Sequence, residues 1–189
     1  MNQITSEKVH WTTSDLELLT ADEWKRYEII DGELFVTRAP HWAHQGTAGN
    51  IFLELQIWSR ICGLGEARQT PGIIFTDADN VIPDVVWISN ERLALLLDEE
   101  GHLTGAPEFI VEVLSPGVTN ERRDREAKLK LYSSKGVQEY WIADWRLQQV
   151  EVYRREDAQL RLMSTLLPND KITSPLLPGF SAQVQRFFA

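Results

Sequence analysis

One cysteine, Cys62, stands among 189 residues, so no disulfide can form within the chain and no cysteine-based metal cluster can assemble. No apolar run approaches the roughly 20 residues that span a bilayer. The amino end lacks the basic-then-apolar pattern of a secretory signal, and a reducing, cytoplasmic setting is the expectation. Positive charge is also scarce: 19 Lys and Arg face 28 Asp and Glu, a net of -9. A field of that sign repels phosphate and excludes broad, nonspecific adhesion to nucleic acid, though not a local basic site. His41 and His44 lie three apart without a histidine-metal motif. There is no repeat, low-complexity tract, linker, zinc finger or recognisable helix-turn-helix.

What is present reads as a soluble α/β chain. Apolar residues make up 43% and charged residues 25%, and the length suits one substantial core better than two. Residues 14–26 read as a helix, with Ser14 and Glu17 at capping-box spacing. In YEIIDGELFV, Asp31-Gly32 between apolar runs predicts a hairpin. Ala48, Ile51, Leu55 and Trp58 recur at helical spacing from His44 to Trp58, and Gly63 ends that helix. Short strands are expected near 66–70 and 73–75. VIPDVVWIS reads as a strand with Asp84 near its start, because Pro83 lacks a ladder donor. NERLALLLDEE is helical, and APEFIVEVLS has the continuous hydrophobicity of a central strand. A helix over 119–135 follows. VQEYWIADW and QQVEVYR predict two antiparallel strands turning near Arg146, with LRLMSTLL as one more. Pro175, Pro178 and Gly179 mark a tail that closes on the body.

Chemistry concentrates in three residues. Glu112 interrupts an apolar strand, where an unpaired carboxylate is costly to bury. It is either a water-facing edge residue or one delivered to a pocket. Asp84 either orders the turn after Pro83 or meets Glu112, if their strands are neighbours. Two carboxylates brought together must share a proton or a cation. Mg²⁺ suits such a pair, since it binds through one or two carboxylates and keeps several waters. The backbone carbonyl of Val113 would add an oxygen. Lys128, returned over the sheet end by the following helix, would steady developing charge, or would merely pair with Asp124 four residues earlier on an exposed face.

Glu28 and His44 are auxiliary candidates, and Asp124 a positioner of Lys128. Residues 121–135 hold six Lys or Arg against three Asp or Glu. Arg122, Arg123 and Arg125 are therefore candidate phosphate contacts, or else part of a solvated mixed-charge helix. Tyr132, Tyr140, Trp141 and Trp145 read as core or interface aromatics.

The blocks YEIIDGEL at 27–34, His44 after RAP, IPDVVW at 82–87, VEVLSP at 111–116 and DREAKLKLYSSKGVQEYWIAD at 124–144 resemble, in that order, the Uma2 family. This is a former domain of unknown function within the restriction-endonuclease-like PD-(D/E)XK nuclease superfamily. The resemblance implies an α/β fold over 1–189, a single mixed-sheet domain flanked by helices. Its nuclease-like core, of four or five strands, would cover about 27–155. It places the motif aspartate on Asp84 and the second acidic residue on Glu112. Leu114 stands where the superfamily has its lysine, a departure typical of this family, in which Lys128 supplies it; Lys130 faces elsewhere on the helix.

The expectation is a DNA endonuclease using Mg²⁺ or Mn²⁺ and no organic cofactor or membrane. A homodimer is expected, with aromatics of 140–145 in its interface. A catalytically inactive binding or structural module, and a phosphodiesterase acting on RNA or nucleotides, are the alternatives.

Overall fold

The structure, a computed structural model, describes residues 9–19 and 25–189. Helix α1 (Thr13–Leu18) is capped by Thr12, not Ser14: the Asp15 carboxylate accepts from the Thr12 N–H at 2.8 Å and its hydroxyl at 2.7 Å. Of the continuation expected to residue 26, residues 20–24 lie outside the described residues. Lys25 and Arg26 instead open strand β1 (Lys25–Ile30), which pairs with β2 (Glu33–Arg38). Asp31 and Gly32 both adopt positive φ, 52° and 71°, as a two-residue primed hairpin turn requires.

Helix α2 (Trp42–Cys62) is followed by β3 (Gly65–Gln69), β4 (Ile73–Thr76), β5 (Asp79–Val81), β6 (Val85–Ser89), α3 (Asn90–Leu96) and β7 (Phe109–Val113). The single strand expected across VIPDVVWIS is two strands in different sheets. They break at Ile82-Pro83-Asp84, where proline cannot donate to a ladder. Next come α4 (Val118–Arg122), a π-helical segment (Arg123–Lys128) and α5 (Leu129–Lys135), then β8 (Glu139–Asp144), β9 (Gln149–Glu156) and β10 (Gln159–Leu166). The tail pairs β11 (Lys171–Ile172) with β12 (Ala182–Gln183) before a 3₁₀ turn (Val184–Phe188), and its Leu177, Phe180 and Phe187 are buried in the body.

The central sheet has six strands, not four or five, in the order β10-β9-β8-β7-β6-β3. Only β7 and β8 run parallel, joined by the long helical crossover; the other pairs are antiparallel. A second, four-stranded sheet, β2-β1-β5-β4, was not foreseen. Every residue of β7 and β8 is buried, which explains their near-continuous hydrophobicity. Alternation sorts the side chains. Phe109, Val111 and Val113 join Val85, Trp87 and Trp141 in a core beneath α2 and the tail. Ile110 and Leu114 join Val86, Ile88, Tyr140 and Ile142 in a second core beneath α5. Asp84 and Glu112 share the parity of the second set.

Tyr140 and Trp141 are fully buried, so these two aromatics of 140–145 cannot form the expected dimer interface. Trp141 stacks edge-on against Phe109 at 4.7 Å and lies near Phe180 and Phe187. Trp141→Ala should therefore cost about 3–5 kcal/mol of unfolding free energy, measured by urea denaturation. A loss below about 1 kcal/mol would contradict this packing.

Candidate active site

The register of β6 against β7 brings the acids together. Val85 pairs with Val111 in an antiparallel ladder, so Asp84, one residue before β6, lies beside Glu112, one residue after Val111. Asp84 is tied directly to β7: its Oδ2 accepts from the Val113 N–H at 2.8 Å. Val113, expected to offer a carbonyl, here contributes its N–H. His44, in the first turn of α2, sets Nε2 at 3.2 Å from the same oxygen. Among the described residues its Nδ1 is buried without a hydrogen-bond partner, and Nε2 is the nitrogen that faces Asp84. Arg26 approaches Asp84 Oδ1 at 3.4 Å from β1.

Lys128 comes from the π-helical segment. Its ammonium lies 2.8 Å from Glu112 Oε1 and 2.9 Å from Glu28 Oε1, with the lysine only 1% exposed. Tyr132 donates to Glu112 Oε1 at 2.7 Å, and the Ile82 N–H donates to Glu28 Oε1 at 2.9 Å. The wider π turn matters here. An α-helix returns after 3.6 residues, whereas i→i+5 bonding widens the turn and lets Arg123, Asp124 and Lys128 all bury. Asp124 and Lys128 thus form no exposed i,i+4 pair. The Asp124 carboxylate takes a two-pronged grip from Arg123, at 2.9 and 3.3 Å, and Tyr140 donates to the Asp124 backbone carbonyl.

Four carboxylates, Glu28, Asp84, Glu112 and Asp124, are buried here against two buried cations, Lys128 and Arg123. That imbalance falls on Glu112. Burial pushes its carboxyl up to about 8, Lys128 opposes, and Asp84, Asp124 and Glu28 add repulsion. Burial acts on Asp84 in the same direction but loses to His44, the Val113 N–H and Lys128, which together hold it below its ordinary value. Burial would also deprotonate Lys128, yet Glu112 and Glu28 raise its affinity for the proton. Among the described residues, no group of three or more His, Cys, Asp or Glu is arranged to hold a metal ion. The cleft above these groups, rimmed by Arg26, Arg38, Pro40 and Ser115, encloses about 30 Å³.

The basic residues of 121–135 divide. Arg123 reaches the cleft, Arg122 pairs with Glu126 on the surface at 3.0 Å, and Arg125 pairs with Glu151. Lys130 lines two neighbouring grooves, not the acid cleft. Two participants escaped the sequence reading. Arg26 had been placed in a helix, although its strand spacing from Glu28 would have put both on one face. Tyr132 carried no signal beyond its helical spacing, four residues after Lys128.

A family model, Uma2, described as "Putative restriction endonuclease", matches residues 13–185. The chain is similar in fold to a crystal structure described as "a putative nuclease belonging to DUF820 from Anabaena variabilis ATCC 29413". The TM-score is 0.73 at 18% identity, over 94% of this chain and 97% of that one. No curated protein matches the sequence.

A pH prediction follows from Glu112. Its ordinary value of 4.5 rises to about 8 on folding, so between these values the folded chain keeps a proton that the unfolded chain releases. This contribution to stability is complete below pH 4.5 and is lost as pH rises through 8. Urea denaturation of the metal-free protein should show a falling component approaching ~1.4 kcal/mol per pH unit between pH 5 and 8. Glu112→Gln, which keeps an oxygen for Lys128 and Tyr132, should lack it. Equal slopes in both proteins would contradict the assignment.

Proposed function

The chain belongs to the Uma2 family, and on that premise we propose that it is a nuclease that hydrolyses DNA phosphodiester bonds with Mg²⁺ or Mn²⁺ held at Asp84 and Glu112. The observation that carries this reading is the excess of buried carboxylate over buried cation, which leaves Glu112 in need of a proton or a metal. The donor set fits a hard cation: two carboxylates from adjacent strands, with waters completing the shell, match the way Mg²⁺ is held. The Val113 carbonyl is a further oxygen candidate. When bound, the ion would supply an activated water and neutralise charge on a phosphate oxygen.

The remaining work falls to the chain's own groups. His44 and the Val113 N–H keep Asp84 ionised and fixed in orientation. Lys128 stays protonated; were Glu112 to hold a cation, Lys128 would keep Glu28 as its partner and could present its charge to the phosphate. Glu28 and Asp124 keep the lysine and Arg123 inside the site. At the mouth, Arg26 and exposed Arg38 offer positive charge to the flanking phosphates, a local exception to the acidic surface.

The narrowness of the cleft favours a second reading, an inactive module on the same fold. A volume of about 30 Å³ admits a water or an ion, each water needing roughly 10–15 Å³, and falls short of a nucleotide. Under the first reading the phosphate would dock at the rim, with a non-bridging oxygen directed inward and its phosphorus open to the attacking water.

Cleavage separates the two. Purified protein with Mn²⁺ or Mg²⁺ should cut plasmid DNA, and Asp84→Ala, Glu112→Gln and Lys128→Met should each lower the rate at least 100-fold, with the fold checked by circular dichroism. Arg38→Ala should weaken DNA binding and flatten its salt dependence by about one counterion. DNA binding without cleavage at any divalent concentration would favour the inactive module. Full cutting by Asp84→Ala would exclude the proposed site.

A further inference from the structure

Helix α2 buries one face, through His44, Ala48, Ile51 and Leu55, and leaves the other apolar and bare. Trp42 is 90% exposed, Leu53 53%, Ile57 50% and Ile61 81%, with Leu64, just past the Gly63 cap, at 48%. Only Glu54 and Arg60 are charged along the helix, and Glu54 is occupied by Arg186 at 3.1 Å. Side chains of this kind have full areas of roughly 180–250 Å², so these fractions leave on the order of 600 Å² of apolar surface uncovered. A standard protein interface takes ~800 Å² per partner.

The same face carries Gly46 and Gly49. A Cβ at Gly46 would meet nothing within 4 Å, and one at Gly49 only Gln69 at 4.0 Å. Among the described residues no packing calls for them, although each costs a helix interior about 1 kcal/mol relative to alanine. Past Trp42, the small Gly46 and Gly49 in the first half of the stripe and the bulky Ile57 and Ile61 in the second make the face complementary to itself when reversed. An antiparallel pair of α2 helices centred on Leu53 sets Leu53 against Leu53, Ile57 against Gly49, Ile61 against Gln45 and Gly46, and Trp42 against Leu64. Such a contact is isologous, closing as a two-fold dimer without leaving a free interface to propagate.

The geometry points to this stripe as the surface on which a second copy of the chain docks, α2 against α2. Because His44 lies nine residues from Leu53, the two clefts stand at opposite ends of the helix pair, roughly 27 Å apart along its axis. Assembly does not depend on the nuclease reading, and its test uses no DNA.

Light scattering on the eluted native chain at about 50 μM should give twice the monomer mass of 21.7 kDa. Leu53→Asp combined with Ile57→Asp should weaken the dimer at least tenfold, with an unchanged circular dichroism spectrum because both side chains are exposed. In a Cys62→Ser background, Leu53→Cys should cross-link to itself on mild oxidation, whereas Leu95→Cys, equally apolar and 81% exposed on α3, should not. A monomeric native chain, or a dimer that the double variant leaves intact, would overturn the inference. So would cross-linking through position 95 in place of 53.

Discussion

The ammonium of Lys128, held between Glu28 and Glu112 out of reach of water, is the contact around which this half of the molecule is arranged. Burying an ammonium between two carboxyl groups is expensive, and mutual attraction repays the cost only when further hydrogen bonds satisfy the remaining oxygens. They are supplied from every neighbouring element. Tyr132 on α5 reaches Glu112, the Ile82 N–H reaches Glu28, and the N–H of Val113 on β7 with the His44 ring reaches Asp84. Even so, the carboxylates outnumber the buried cations. A cluster built only for stability would do better neutral or balanced, and replacing such groups with apolar ones is often harmless. The surplus of buried carboxyl groups over buried cations is what singles this cluster out as the candidate site.

Two backbone features put the charges there. The break at Pro83 sends β5 and β6 into different sheets, so that Asp84 ends up at the rim of the central sheet, facing β7, instead of in the middle of a ladder. The π-helical segment does the complementary job for the cation: its widened turn points Lys128 inward together with Asp124 and Arg123, although the segment reads RDREAK and suggests a solvated surface. π-Bulges recur at functional sites because they re-aim side chains in this way. Strand register and helix widening act on opposite sides of one small cleft, and either alone would leave an unpaired buried charge.

Much of this was legible in the sequence, for identifiable reasons. The Asp31-Gly32 hairpin follows from local turn chemistry, and β7 and β8 from uninterrupted apolar runs that only central strands carry. Glu112 stood out because a carboxylate among Val, Ile and Leu must find a partner. Asp84 stood out because proline fixes where a ladder can begin. What failed was non-local or fine-grained. Propensity could not distinguish Lys25 and Arg26 as a helix end from the start of a strand, which hid Arg26. The second sheet depends on pairing between β1 and β5, far apart in sequence, and no periodicity reports it. Burial of the RDREAK segment is invisible because α-helical spacing does not describe a π turn. Tyr140 and Trp141 read as core or interface aromatics and are core; strand alternation alone cannot tell which faces are already covered by α2 and α5, so the interface alternative stayed open. The bare stripe on α2 was hidden for the same reason.

A cation must fit where Asp84, just before β6, and Glu112 on β7 converge beneath the Lys128 segment. Diffraction from crystals soaked in Mn²⁺, recorded for anomalous signal, tests this most directly. A single peak is predicted within about 2.0–2.6 Å of carboxylate oxygens of both Asp84 and Glu112, the range hard cations keep to oxygen, and it should vanish in Asp84→Ala. Saturating Mn²⁺ that leaves no peak at that pair, with the Lys128 to Glu112 contact intact, would contradict the account.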